Sequence, residues 1–71
     1  MAVVYPNPAK STVTITTENG IDQVIIFDTN GKTVLKSNNE RVNVEHLQSG
    51  IYFLQAYKSD VSLGIEKLVI F

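Results

Sequence analysis

Residues 47–58 read LQSGIYFLQAYK and hold the longest strand-like run of the chain. The run after Gly50 is rich in aromatic and branched residues and has no proline, which is typical of a strand inside a sheet. Gly50 can close a tight turn just ahead of it. The spacing of Leu47, Gly50, Tyr52 and Leu54 matches the tyrosine corner of Greek-key sandwiches, in which a tyrosine near the start of a strand bonds back to upstream backbone. This stretch therefore predicts a central strand of a small β-sandwich.

The remainder of the chain predicts further short strands. Val13 and Ile15 alternate with threonines, which is typical of a strand with one buried face. We expect strands over residues 3–5, 11–17, 21–28, 33–35, 42–44, 51–57 and 61–71, with Gly64 interrupting the last. About seven short strands and nothing helical predict an all-β fold, an immunoglobulin-like antiparallel β-sandwich.

Two breaks between these strands have clear turn chemistry. Pro6-Asn7-Pro8 ends the first strand in a rigid elbow, because proline donates no ladder hydrogen bond and pushes its predecessor into extended geometry. Asn30-Gly31 favours the positive φ angles that a tight hairpin needs.

The central strand also predicts a surface feature. If Tyr52 and Leu54 point into the core, the pleat places Phe53 on the outside. By the same alternation, the neighbouring apolar strand over residues 24–27 exposes either its odd or its even positions. An outward Phe27 beside Phe53 would form an apolar patch, and such patches often mark partner surfaces. The alternative is that loops or neighbouring side chains cover the two rings.

Composition excludes several classes of function. Six basic and seven acidic residues give a formal net charge of -1, which leaves no electrostatic footprint for a nucleic acid or an anionic membrane. The absence of cysteine removes disulfides, cysteine-based zinc sites and thiol catalysis. No apolar run approaches the roughly 20 residues that a membrane span needs, so we expect no membrane insertion.

The polar residues suggest no catalytic, cofactor or metal site. His46 is the only histidine and cannot form a cluster of imidazole ligands. Asp22, Asp28 and Asp60 fall in predicted turns, where aspartate commonly bonds to nearby backbone, and their spacing matches no calcium loop. We therefore expect that the protein is not an enzyme.

Exposed aromatic residues would be needed for a carbohydrate-binding module. Tyr5, Tyr57 and Phe71 could supply such a platform, but the chain has no tryptophan. Six aromatic residues in total are about what the core of a small sandwich uses, so we rank core packing above sugar stacking for these three side chains.

Four ordered motifs resemble a known family. They are VYPNPA at residues 4–9, VIIFD at residues 24–28 followed by Gly31-Lys32, Leu47 with Gly50-Ile51-Tyr52, and KLVI at residues 67–70. Together they resemble the type A C-terminal sorting domain of the type IX, or Por, secretion system over essentially the whole chain. Members often finish with a basic residue, whereas this chain ends at Phe71.

The resemblance implies a secretion signal and an immunoglobulin-like fold. Such a domain directs an upstream cargo from the periplasm across the outer membrane to the cell surface or the medium, and a surface sortase commonly removes it. The implied partners are the type IX translocon, the sortase components and the cargo domain. The sorting motifs carried over to this chain are Pro6, Pro8, Gly50, Tyr52, Lys67, Leu68 and Val69.

A physical hypothesis for recognition concerns the terminal strand. The edge of residues 66–71 could pair with a receptor strand, with Lys67 as a charged discriminator beside an apolar anchor. The alternative for Lys67 is that it keeps an edge strand soluble, and for Gly50 and Tyr52 we favour a role in holding the fold. Exposed strand edges also allow a dimer.

The domain boundaries follow from the start of the chain. Strand-like Val3-Val4 directly after Met1-Ala2 is more typical of a fragment than of a natural N-terminus, so we expect residues 1–2 to be an added start. The resemblance then implies that residues 3–71 are a single C-terminal sorting domain excised from a larger secreted protein. The rival interpretation is a structural or carbohydrate-binding sandwich of a surface enzyme.

Overall fold

The computed structural model describes residues 3–71 and contains seven β-strands in that range. The strands are β1 (Val3–Tyr5), β2 (Thr12–Thr16), β3 (Gln23–Phe27), β4 (Thr33–Ser37), β5 (Arg41–Asn43), β6 (Gly50–Lys58) and β7 (Val61–Ile70). They form two antiparallel sheets, with strand orders β1-β2-β5 and β4-β3-β6-β7. The predicted all-β sandwich is confirmed. The expectation that residues 1–2 are an added start lies outside the described residues.

The strand grouping is that of an immunoglobulin-like sandwich. β1, β2 and β5 share one sheet, and β3, β6 and β7 share the other, as strands A, B, E and C, F, G do in immunoglobulin domains. β4 pairs with β3 and so belongs to the second sheet. The predicted central strand is β6, which lies between β3 and β7.

The core follows the two-residue period of the strands. Val13 and Ile15 of β2 are fully buried, as are Val24 and Ile26 of β3. The odd positions of β3 therefore face outward, which resolves the alternative left open by the sequence. The buried residues are Ala9, Val13, Ile15, Val24, Ile26, Val42, Val44, Tyr52, Leu54, Ala56, Leu68 and Ile70.

The β3–β4 hairpin has the predicted turn chemistry. The backbone N–H of Gly31 donates to the carbonyl oxygen of Asp28 at 3.0 Å. The Asp28 carboxylate accepts the N–H groups of Asn30 at 2.9 Å and Lys32 at 3.0 Å. Gly31 has a φ of +82°, a conformation that glycine adopts without steric cost. The predicted hairpin is confirmed, but of Asn30 and Gly31 only Gly31 has the expected positive φ.

The expected interruption of the last strand at Gly64 is wrong, because β7 continues without a break. The β6–β7 register passes from Gln55 opposite Ile65 to Tyr57 opposite Ser62, so β7 contains one additional residue there. Gly64 lies in this bulge with a φ of +117°, which explains why a glycine stands in the middle of a strand.

The β6–β7 hairpin is tied to the turn before β3. The Asp22 carboxylate accepts the backbone N–H of Ser59 at 2.6 Å and contacts the Lys58 ammonium at 3.4 Å. The hydrogen bond from Ser59, assisted by Lys58, holds the pKa of Asp22 below its ordinary value. The charged carboxylate is therefore favoured in the folded state.

This shift predicts an acid-sensitive contribution to stability. A carboxyl whose folded pKa is depressed stabilises the fold above its unfolded pKa, and this contribution is lost as the pH falls through the folded pKa. We expect Asp22→Asn to lower the melting temperature at neutral pH by a small amount. Between neutral pH and about pH 3, below the ordinary aspartate pKa of about 3.9, the melting temperature of the variant should decrease less than that of the wild type.

Thermal unfolding across that pH range measures the effect. Asp60→Asn is the matched control, since Asp60 is exposed in the same hairpin. Melting curves for Asp22→Asn that parallel the wild type at every pH would contradict the assignment.

Candidate functional site

The predicted elbow crosses from one sheet to the other and reaches the terminal strand. Pro6 and Pro8 both follow cis peptide bonds. Between them, the side-chain Nδ2 of Asn7 donates to the carbonyl oxygen of Lys67 at 2.8 Å, and its Oδ1 accepts the N–H of Val69 at 3.0 Å. The Asn7 side chain therefore takes the place that a peptide group of a neighbouring strand would occupy.

Ala9 extends this contact by one residue pair. Its N–H donates to the carbonyl oxygen of Val69 at 2.8 Å, and its own carbonyl accepts the N–H of Phe71 at 2.9 Å. Ala9 is fully buried and lies opposite Ile70 in a parallel bridge. We call these hydrogen bonds of Asn7 and Ala9 to β7 and Phe71 the elbow clamp. It joins two sequence motifs that are 60 residues apart.

The elbow clamp covers the edge of the terminal strand that the sequence analysis expected to be available to a receptor strand. The backbone groups of alternate residues point away from the neighbouring strand in an antiparallel pair. The clamp already provides partners for the outward backbone groups of this edge. They are the N–H and C=O of Val69, the C=O of Lys67 and, just after the end of β7, the N–H of Phe71. The edge that we expected to be free is occupied over residues 67–71, so a receptor strand would have to displace the clamp to pair there.

The side chains of the terminal motif divide between the core and the surface. Leu68 is fully buried and Ile70 is 3% exposed. Lys67 is exposed and Val69 is half-buried, and both lie on the face of the sheet that points away from the core. Of the terminal motif residues Lys67, Leu68 and Val69, only Lys67 and Val69 therefore have side chains on the outward surface of the sheet.

The outward aromatic pair lies beside that motif. Phe27 and Phe53 face each other across β3 and β6, with ring centroids 6.1 Å apart and planes inclined by 28°. Both rings are half-buried, and Lys67 stands opposite Phe53 on β7. The structure thus places the predicted patch and the terminal motif on one surface; whether a partner binds there stays a prediction.

Gly50 and Tyr52 form the start of β6. The Tyr52 hydroxyl donates to the carbonyl oxygen of Gln48 at 2.7 Å, and the Tyr52 side chain is buried. Gly50 has a φ of +155°, which side-chain-bearing residues rarely adopt. The predicted tyrosine corner is confirmed. The hydrogen bond to Gln48 explains the tyrosine at position 52, and the φ angle explains the glycine at position 50, so both residues have a role in the fold.

The expected core packing of three further aromatic residues is wrong for two of them. Tyr5 is 50% exposed because it lies on the outer side of a three-residue edge strand, and Phe71 is 69% exposed because it follows the end of β7. Tyr57 is half-buried. The three rings form no common platform, since Tyr5 lies on the other sheet and the strand register puts Tyr57 and Phe71 at opposite ends of theirs.

Within the described residues, the polar side chains considered for chemistry lie in the loops and turns between strands. His46 is exposed ahead of β6, and the Asp28 carboxylate is engaged in its own turn. Within residues 3–71, no three histidine, aspartate or glutamate side chains lie close enough together to hold a metal ion. The same residues include no helix that is long and apolar enough to span a bilayer.

Comparison with known proteins agrees with the resemblance. The family model of the secretion system C-terminal sorting domain matches residues 3–71, nearly the whole chain. No curated protein shows significant similarity to the chain. The family match includes both sides of the elbow clamp and the outward face of β7.

Proposed function

Since this chain belongs to the family of secretion system C-terminal sorting domains, we propose that the type IX machinery binds its surface as the export signal of an upstream cargo. Domains of this family serve type IX export across the outer membrane, to the cell surface or into the medium. On its way the cargo passes through the periplasm. A surface sortase then removes the domain. The family match over residues 3–71 is the observation that carries this proposal.

The structure supports a binding role rather than a chemical one. The elbow clamp joins the Pro6-Asn7-Pro8 segment to the terminal motif at residues 67–70. A partner that contacts this region therefore meets both motifs in fixed relative positions. The exposed side chains there include Asn7, which is engaged in the clamp, and the basic Lys67. We propose that the domain acts as a signal and not as an enzyme.

The carried-over motif residues then have different tasks. Pro6 and Pro8 shape the elbow that holds β7. Lys67 and Val69 contact the machinery, because their side chains face outward. Three residues keep the domain folded and act on export only indirectly, namely Gly50, Tyr52 and Leu68.

Export of a reporter tests the proposal. A periplasm-targeted fluorescent protein is fused ahead of residues 3–71 and produced in a bacterium with a working type IX system and in its translocon-deficient partner strain. We expect fluorescence at the cell surface or in the medium of the first strain only.

Two controls complete the test. The same reporter without the domain should remain in the periplasm of both strains. Retention of the fusion in both strains, with the domain shown to be folded, would contradict the sorting function. Mass spectrometry of the exported reporter tests the sortase step: loss of the domain supports removal, and a reporter that still carries all of it contradicts that step alone.

A further inference from the structure

The outer face of the four-stranded sheet carries apolar side chains that the core does not use. Strand alternation and register place six of them on this face: Ile25, Phe27, Ile51, Phe53, Ile65 and Val69. Ile51 is 45% exposed and Ile65 is 54% exposed, while the other four are half-buried. We use the term outer face for this set and the polar side chains between them.

The apolar positions are neighbours and not scattered residues. Phe27 and Phe53 stack across β3 and β6. Ile51 and Val69 face each other across β6 and β7, one residue pair further along the same face. Contiguous apolar side chains on the surface of a small domain commonly mark an interaction site.

The charged side chains that the strands direct to this face are both lysines. Lys36 lies opposite Ile25 at the β4 margin, and Lys67 lies opposite Phe53 at the β7 margin. Among the four strands of the sheet, Glu66 is the only acidic residue, and alternation directs it to the opposite side from Lys67. The face is therefore an apolar centre between two lysines, an arrangement complementary to an apolar surface with carboxylates at its margin.

The occupied edge of β7 leaves this face as the accessible part of the terminal motif. Pairing with the edge over residues 67–71 requires loss of the four hydrogen bonds of the elbow clamp. Contact with the outer face requires none of these losses, and it reaches Lys67 and Val69 directly.

We propose that the export machinery binds the outer face through an apolar protein surface rimmed by carboxylates, and does not add a strand to the edge of β7. This inference rests on the proposed sorting function and specifies its partner by chemistry. The apolar centre supplies affinity, and the two lysines orient the partner and exclude basic surfaces.

The reporter fusion in the type IX-competent strain tests the inference with variants of the outer face. We expect Ile51→Ser to lower the ratio of exported to periplasmic fluorescence by about tenfold, because it removes an apolar contact of the centre. Lys67→Glu should lower the ratio by about as much, because it sets a like charge against the partner's carboxylates. Lys36→Glu should act in the same direction, and Lys67→Arg should retain export because it keeps the positive charge. Ile51 and Lys67 are exposed, so these variants should remain folded, which circular dichroism of the purified domain checks.

Matched controls lie away from the outer face. Val3→Ser removes an exposed apolar side chain from the other sheet, and Lys10→Glu reverses an exposed charge beyond the elbow. Both should be exported like the wild type. Wild-type export of Ile51→Ser and Lys67→Glu would overturn the inference, as would equal losses in the controls or loss of export in Lys67→Arg.

The alternative modes have distinct outcomes. Asn7→Ala opens the edge of β7, so a rise in its export together with normal export of the face variants would overturn the inference in favour of strand addition. Periplasmic retention of the unmodified fusion would instead contradict the proposed function itself. Selective loss in the outer-face variants, with an exported wild type, supports both.

Discussion

Leu68→Ala is expected to lower the free energy of unfolding by about 2–5 kcal/mol, the range for removal of a buried leucine side chain. Leu68 is fully buried on the inner side of β7. A domain of 71 residues has a total stability of about 4–11 kcal/mol. The substitution should therefore leave a large fraction of molecules unfolded or close to unfolding, which chemical denaturation of the purified domain measures.

The adjacent residue gives the matched control. Lys67→Ala changes an exposed side chain and should alter stability by no more than about 0.5 kcal/mol. Leu68→Met conserves volume and should cost less than about 1.5 kcal/mol. Equal losses for Leu68→Ala and Lys67→Ala would contradict the assignment of Leu68 to the core.

This contrast determines how the terminal motif is interpreted. If Leu68→Met restores both folding and export, Leu68 contributes through packing alone. Loss of export in a Leu68→Ala variant would then report unfolding, whereas loss in a folded Lys67 variant would report recognition. Neighbouring residues of one motif therefore need separate explanations.

Features set by local chemistry could be predicted from the sequence. The buried positions of β2 follow from alternation, and Asn30-Gly31 specifies its hairpin because both effects act over a few residues. The tyrosine corner was equally accessible, since Tyr52 bonds to Gln48 only four residues upstream. The same alternation, applied to Tyr52, correctly placed Phe53 on the outside.

The elbow clamp could not be predicted in this way, because it joins residues 60 positions apart. A Pro-Asn-Pro sequence predicts a bend but not its partner. One signal was present: neither proline has an N–H, so the donors of this segment ahead of Ala9 belong to Asn7. If this segment packs against a strand edge, the Asn7 amide must therefore supply its hydrogen-bond donors. The sequence did not indicate that the strand would be β7.

Residue counts also proved a poor guide to burial. Six aromatic residues suffice for a small core, yet only Tyr52 is among the buried residues. The core of residues 3–71 is built mainly from valine, isoleucine and leucine, while Phe27 and Phe53 stack on the outer face. Gly64 shows a similar limit, because one glycine is compatible with a strand break or with a bulge, and the β6–β7 pairing selects the bulge.

Tyr52 gives the second large effect, and its two components can be separated. Tyr52→Ala removes a buried aromatic ring and should cost about 3–5 kcal/mol of unfolding free energy, as for other large aromatic truncations. Tyr52→Phe keeps the ring but removes the hydroxyl that donates to Gln48 at 2.7 Å, and should cost about 0.5–1.5 kcal/mol. Denaturant titration of both variants measures the two terms.

Tyr57→Phe is the control, because Tyr57 is half-buried on the outer face of the same strand and should tolerate the change within about 0.5 kcal/mol. Equal costs for the two Tyr→Phe variants would contradict the corner as a stabilising contact. Export then separates structure from recognition: Tyr52 faces the core, so Tyr52→Phe should be exported like the wild type as long as it stays folded. A folded Tyr52→Phe domain that remained in the periplasm would show that the machinery contacts this hydroxyl, which would require β6 to open during export, because the ring is buried in the closed sandwich.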